Sequence, residues 1–410
     1  MDNLSHSVAG LAVGELLHRA LPQEQGTDNQ SVRHRLLLLT CWAASNFPDL
    51  DLVLTPLLPA PLGYLLHHRG HTHTLLYAIP QALLLWAIIY MAWPAARKLL
   101  GESATARKGM FGALSIGFTL HLAMDFLNSY GIHPFHPFDS RWLYGDMVFI
   151  LEPVFWIAFG VPLAMMVQPL ALRILLIALL VGAPLYFTTQ AFLSWWSFAF
   201  LLLLAVLAGI LQERAGDRGK RGLAAALCLG LAFIGAQGFA SGRAEQVVAG
   251  ILHKEEPENQ VMDVALTSFP SNPLCWAFVS IQENEVAGTY TLRRGLLSLA
   301  PGLMPVDQCP PSLRRGDFPD DATPDIAFQS WEEDHLDTLR LLKEGNCHFE
   351  AWLRFARAPS ISDADASDLR FGADRKGNFT TLDFAGFENE PCPRYVPRWD
   401  FPRGDLLGER

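Results

Sequence analysis

Apolar positions gather into long unbroken runs over the first 240 residues of this chain and into short ones afterwards. A helix crossing a hydrocarbon core of about 30 Å at 1.5 Å per residue needs roughly 20 such positions. Stretches of about that length run Thr74–Trp93, Met110–Leu127, Met147–Val167, Leu170–Thr189, Ala191–Leu211 and Gly222–Ala240. Two shorter pieces precede them, Leu4–Leu21 and Leu36–Phe47. The second is too short to cross, so a re-entrant or half-buried helix inside the bundle is expected there. Beyond Ala240, strands are expected at Val261–Ser268, Cys275–Gln282, Thr289–Leu292 and Phe379–Phe384, with a helix and then a strand within Trp331–Phe355. Asp374–Asn378 reads as a hairpin turn between Leu369–Gly372 and Phe379–Phe384. The pattern predicts an all-α polytopic membrane bundle over residues 1–240, followed by a β-rich α+β soluble domain over 241–410.

Composition supports the division. Half of the residues are hydrophobic and 18% are charged, yet the mean hydropathy is only +0.20, a blend of a greasy half and a wet half. From Ser241 onward there are 28 acids and 17 bases, leaving 13 and 14 (41 − 28 and 31 − 17) for the first 240 residues. The acidity belongs to the tail and argues against nucleic acid as a partner. The start carries Asp2 rather than a basic segment, so insertion is expected to use a retained helix.

Loop charge then sets an orientation. Arg97, Lys98, Arg107 and Lys108 crowd one connection, Arg173 marks a second, and Arg214, Arg218, Lys220 and Arg221 crowd a third. Placing all three in the cytoplasm satisfies the positive-inside rule with alternating spans and puts the tail outside. Four of the six cysteines, Cys275, Cys309, Cys347 and Cys392, lie in that tail. They suit two disulfides in an exported domain, with three pairings open.

The chemistry-bearing residues gather at one predicted level. "HHRGHTH" opens the run Thr74–Trp93, and His121 with Asp125 stand at i, i+4 on one helix face. Asp49 and Asp51 follow the short second helix, His6 opens the first, Asp146 stands just before the run Met147–Val167, and Glu152 lies about one turn into it. Ionisable groups in apolar segments are costly and usually face a wet cavity or one another. Imidazoles and carboxylates together suit zinc, and an open coordination position activates water. Alternatives stay open: Asp49 also suits a turn after Pro48, and His6 a helix cap. Arg69 suits either a bidentate clamp on phosphate or a snorkel to lipid headgroups, while His133, His136 and Asp139 suit a solvated proline-rich loop.

These residues resemble a known family. "HRGHTHT" (68–74) is similar to the H-R-G-x-T-H-S signature of the YdjM-like inner-membrane metal-dependent hydrolases. "PDLD" (48–51), "HLAMD" (121–125) and "YGDMVFILEP" (144–153) follow in that family's order. More distantly, an early His, then Asp, then His, then H-x-x-x-D resembles the zinc-dependent phospholipase C and nuclease fold. That resemblance implies His6, Asp49 or Asp51, His68 or His73, His121 and Asp125 as ligands of two or more divalent ions, zinc first, with manganese or iron as alternatives. The distant fold closes with a further H-x-x-x-E or H-x-x-x-D pair, where this chain has only Asp146 and Glu152. The expected function is hydrolysis of a lipid or other (phospho)ester at the outer face of the cytoplasmic membrane. Arg69 would clamp the substrate, and Asp146 or Glu152 would move the proton. The rival expectation is a membrane scaffold with a closed, structural metal site.

Overall fold

Capping residues set the helix starts. Asp2 accepts from the Ser5 amide at 2.9 Å to open α1 (Asn3–Ala20), and α2 (Thr27–Ala44) follows. Next come the short α3 (Leu62–His67), then α4 (Leu75–Ala92) and α5 (Pro94–Glu102). Ser103 caps α6 (Ala104–Phe126) through the Ala106 amide. Glu152 caps α7 (Pro153–Met165), whose first residue is the proline that fits that position. The helices α8 (Leu170–Thr189), α9 (Trp195–Arg214) and α10 (Lys220–Glu255) complete the series. This computed structural model describes every residue except 216–218, 314–317, 319–321, 373, 375–376 and 410. Arg218 and part of the expected turn at 374–378 therefore lie outside the described residues.

Among the described residues, α4, α6, α8, α9 and α10 are long and apolar enough to cross a membrane. The expected span Met147–Val167 is helical only over the 13 residues of α7, about 20 Å at 1.5 Å per residue. The stretch before α7 is not helical, and Val148, Phe149 and Glu152 in it are buried. Irregular backbone at membrane depth is tolerated where protein surrounds it. The last expected span does not end at Ala240 but continues as α10 to Glu255.

Two compact units result. The helical unit comprises Met1–Leu50, Leu75–Asn128 and Val148–Ala236; the second comprises Asp51–Thr74, Ser129–Met147 and Gln237–Arg410. In the helical unit, small residues let α1, α2 and α6 approach closely. A Cβ on Gly10 would lie 2.1 Å from Ser45 Oγ, and one on Gly117 would lie 2.5 Å from the Ala44 Cβ.

The second unit holds an antiparallel meander of β1 (Gln260–Phe269), β2 (Asn272–Asn284), β3 (Thr289–Ser298) and β4 (Ile326–His335). After it come α11 (Leu336–Gly345) and α12 (Cys347–Leu353), then a small sheet of β5 (Pro359–Ile361), β6 (Asp365–Asp368) and β7 (Leu382–Asp383). Trp331–Phe355 thus runs strand, helix, helix rather than helix, strand, because Trp331 pairs with Arg293 as part of the fourth strand. Leu369–Phe371 is a 3-10 turn, and the strand that pairs with β7 is β6. Trp276, Trp352 and Trp399 are fully buried in this unit, each hiding on the order of 150–250 Å². Disulfides join Cys275 to Cys309 and Cys347 to Cys392. Helices first and α+β afterwards is the predicted fold class.

Candidate metal centre

The close packing of α1, α2 and α6 fixes the centre of the helical unit. Ser45, just beyond α2, donates its hydroxyl to the carbonyl of His6 on α1 at 3.1 Å. Its own carbonyl lies 2.8 Å from His121 Nδ1 on α6. A carbonyl can only accept, so Nδ1 carries a proton and donates it. Nε2 is then the ring nitrogen turned toward the carboxylates, with Asp125 Oδ2 at 3.5 Å and Asp49 Oδ1 at 3.6 Å. His6 stacks on His121 with ring centres 4.2 Å apart, and its Nε2 lies 3.2 Å from Asp125 Oδ1. The amino group of Met1 also meets Asp125 Oδ1.

Asp49, His121 and Asp125 are buried, and each presents a ligand atom within 4.8 Å of the others. Separations near 3.5 Å between acceptors are those of ligands around one ion held at about 2.0–2.2 Å. The i, i+4 spacing that put His121 and Asp125 on one face is realised, and the 3-10 helix Phe47–Leu57 delivers Asp49. The set fits a divalent metal.

In the second unit, Asp51 is an organiser. Its Oδ1 meets His68 Nδ1 at 3.0 Å, while Oδ2 accepts from Thr72 Oγ1 at 2.5 Å and the Arg69 amide at 3.1 Å and meets His73 Nδ1 at 3.2 Å. Burial pushes its carboxyl up, but the hydrogen bonds from His68 and His73 prevail and hold it well below the usual carboxylate range. Asp51 thus engages Nδ1 of both rings, the arrangement by which a carboxylate orients histidines in metal sites.

Arg69 does not snorkel. It is buried, with its guanidinium 4.7 Å above the Tyr130 ring and its backbone in the left-handed region at φ 59°. A long side chain there is strained, so surrounding contacts hold it in place.

Asp146 and Glu152 occupy other settings. Asp146 Oδ2 pairs with Arg357 Nη1 at 2.7 Å, and that guanidinium also grips Asp263 at 2.7 and 2.8 Å. Burial pushes Asp146 above the usual range against the pull of Arg357. Burial raises Asp263 too, but Arg357 and Arg403 outweigh it and hold that carboxyl low. Glu152 is fully buried and caps α7 at 3.1 Å from the Val154 amide.

Sequence reasoning missed Ser45 and Thr72. Ser45 works through its backbone, which no residue type announces; Thr72 sits inside the quoted histidine motif and was readable as a hydroxyl beside Asp51.

The sequence profile of the YdjM inner membrane protein family matches residues 1–215. The chain belongs to that family. Family membership and the five apolar helices make this YdjM protein a multi-pass inner membrane protein whose buried histidine and aspartate group could hold a metal. It is similar to the uncharacterized protein YfhP of Bacillus subtilis (strain 168), 28% identical over 158 residues. That match covers 38% of this chain and 44% of YfhP, less than half the relative's length. No solved structure gives a significant match.

Proposed function

We propose that this YdjM protein is a metal-dependent hydrolase of a lipid ester or phosphoester, working at the outer face of the inner membrane. The observation that carries the reading is the buried convergence of Asp49 and Asp125 on Nε2 of His121, whose other ring nitrogen is held by the Ser45 carbonyl, a donor set that suits a divalent ion. In this reading Asp49, His121 and Asp125 are ligands, with His6 beside Asp125. Asp51 orients His68 and His73 rather than binding the ion. A bound zinc, manganese or iron ion supplies Lewis acidity and activates water. Arg69, fixed over Tyr130, docks the anionic group of the substrate through its planar fork.

A lipid substrate suits the helical unit. A cavity of about 700 Å³ lies along α4 and α6, lined by Leu75, Ile79, Trp86, Met110, Leu114 and Phe118. The same α6 carries His121 and Asp125. Outward placement of the tail follows from the loop charges and needs the chain 148–167 to cross. Five residues before α7 at about 3.3 Å each and thirteen helical ones at about 1.5 Å reach that depth together.

The deciding experiment is metal analysis of the detergent-purified protein followed by a panel of lipid phosphoesters. Chelator-sensitive hydrolysis that drops tenfold or more in Arg69→Lys, with metal content retained, supports the reading. Metal-free wild-type protein rejects it, and bound metal without hydrolysis favours the scaffold alternative.

A further inference from the structure

A second group of histidines in the β-rich unit is untouched by that function. His133 and His136 lie in "GIHPFHPFDS", a stretch that reads as a solvated loop. Instead His133 is fully buried, and neither of its ring nitrogens has a hydrogen-bond partner. Its ring rests on Trp399 at 4.2 Å between centres, with Trp142 at 4.7 Å. Buried polar atoms are nearly always hydrogen-bonded, so a chain that encloses two unpaired ones at one ring calls for a missing partner.

We propose that His71, His133 and His136 form a second site for a transition-metal ion of the zinc class, separate from the Asp49, His121 and Asp125 group. Ring spacing supports this. The centres of His71 and His136 lie 5.3 Å apart, and those of His133 and His136 lie 5.8 Å apart. Imidazoles ligating one tetrahedral ion at about 2.0–2.1 Å hold their ring centres roughly 5 Å apart. The rings already stand near that spacing, and loading turns them about their Cβ–Cγ bonds, a broad torsion for histidine. A neighbouring hydroxyl orients His136 for ligation. Ser140 Oγ engages its Nδ1 at 2.8 Å, leaving Nε2 as the ligating atom. An all-imidazole set selects zinc, copper or nickel over magnesium, calcium or manganese, which want oxygen. The Trp399 and Trp142 rings beside His133 give the pocket apolar walls.

The test uses full-length protein in detergent, stripped by chelator and titrated with Co²⁺ as the probe. His133→Ala and His136→Gln should each lose one equivalent of Co²⁺ per chain, together with visible absorption of tetrahedral character. His121→Ala with Asp125→Ala should keep that equivalent, which separates this site from the proposed catalytic one. Wild-type stoichiometry in folded His136→Gln overturns the proposal, as does a His121→Ala, Asp125→Ala protein that binds no Co²⁺. Should His133→Ala fail to fold, tryptophan emission of the wild type decides. Co²⁺ bound at His133 quenches Trp399, so emission must fall along the same titration, and Trp399→Phe must lack that component. An emission that does not move rejects the site.

Discussion

The two units bury charge by opposite rules. In the β-rich unit each of these carboxylates meets a guanidinium: Arg357 holds Asp146 and Asp263, Arg403 reinforces Asp263, and Arg370 grips Asp368 at 2.7 Å. Tyr144 lies under two of these cations, 4.1 Å from Arg357 and 5.2 Å from Arg370. In the helical unit, Asp49 and Asp125 converge on a histidine, with no guanidinium among these contacts. A network matched charge for charge holds a fold, since burial is tolerated when each charge has its complement. One that mixes carboxylates with imidazoles is mismatched in that sense, and its donors suit a divalent ion. The contrast separates structural polar residues from chemical ones more sharply than burial does, because both groups are buried.

Breaking the mismatched side should produce the largest effect. Replacing His121 and Asp125 by alanine removes two of the three converging side chains, and metal held at that centre should fall below detection by mass spectrometry while the helices stay inserted. Metal retained there at the wild-type level would erase the distinction between the units. Breaking the matched side should instead cost stability: Arg357→Ala strands the buried carboxylate of Asp146 and leaves half-buried Asp263 to Arg403, for a loss of about 3–5 kcal/mol in denaturant unfolding. A loss under about 1 kcal/mol would show that water reaches the network, as at an exposed pair.

Asp51→Asn sharpens the comparison from the orienting side. The amide can no longer accept from both rings as a charge, so metal affinity should weaken by about 10–100-fold with the stoichiometry unchanged. Loss of a whole equivalent would make Asp51 a ligand. The smallest effect is in acid. Asp263 titrates below its unfolded value, so its contribution is complete above about pH 4 and fades as pH falls further. Asp146, raised on folding, acts in the opposite sense. Asp263→Asn should therefore flatten the fall in stability from about pH 5 to 3, followed by tryptophan fluorescence; an unchanged slope would assign that fall to other carboxylates.

Local chemistry was legible in the sequence, and long-range pairing was not. His121 with Asp125 is a one-turn pattern on a single helix, and the histidine motif before α4 is contiguous, so both could be read directly. The pairing of Asp146 could not be read, because its partner, Arg357, stands 211 residues along the chain. His133 and His136 looked solvated because Trp399, which covers His133, belongs to the far end of the tail. The helix break before α7 was readable in principle: Glu152 followed by Pro153 is a helix start, and hydropathy alone ran past it.

The disulfides carry a consequence for biogenesis. Cys275 pairs with Cys309 and Cys347 with Cys392, two closures in series with neither nested nor interleaved. A chain delivered from its N-terminus presents Cys309 when Cys275 is the only other one of the four already available. The first loop can therefore seal before either competitor emerges, and the last two thiols are left with each other. Correct pairing follows from the order of arrival, without a search among the three alternatives.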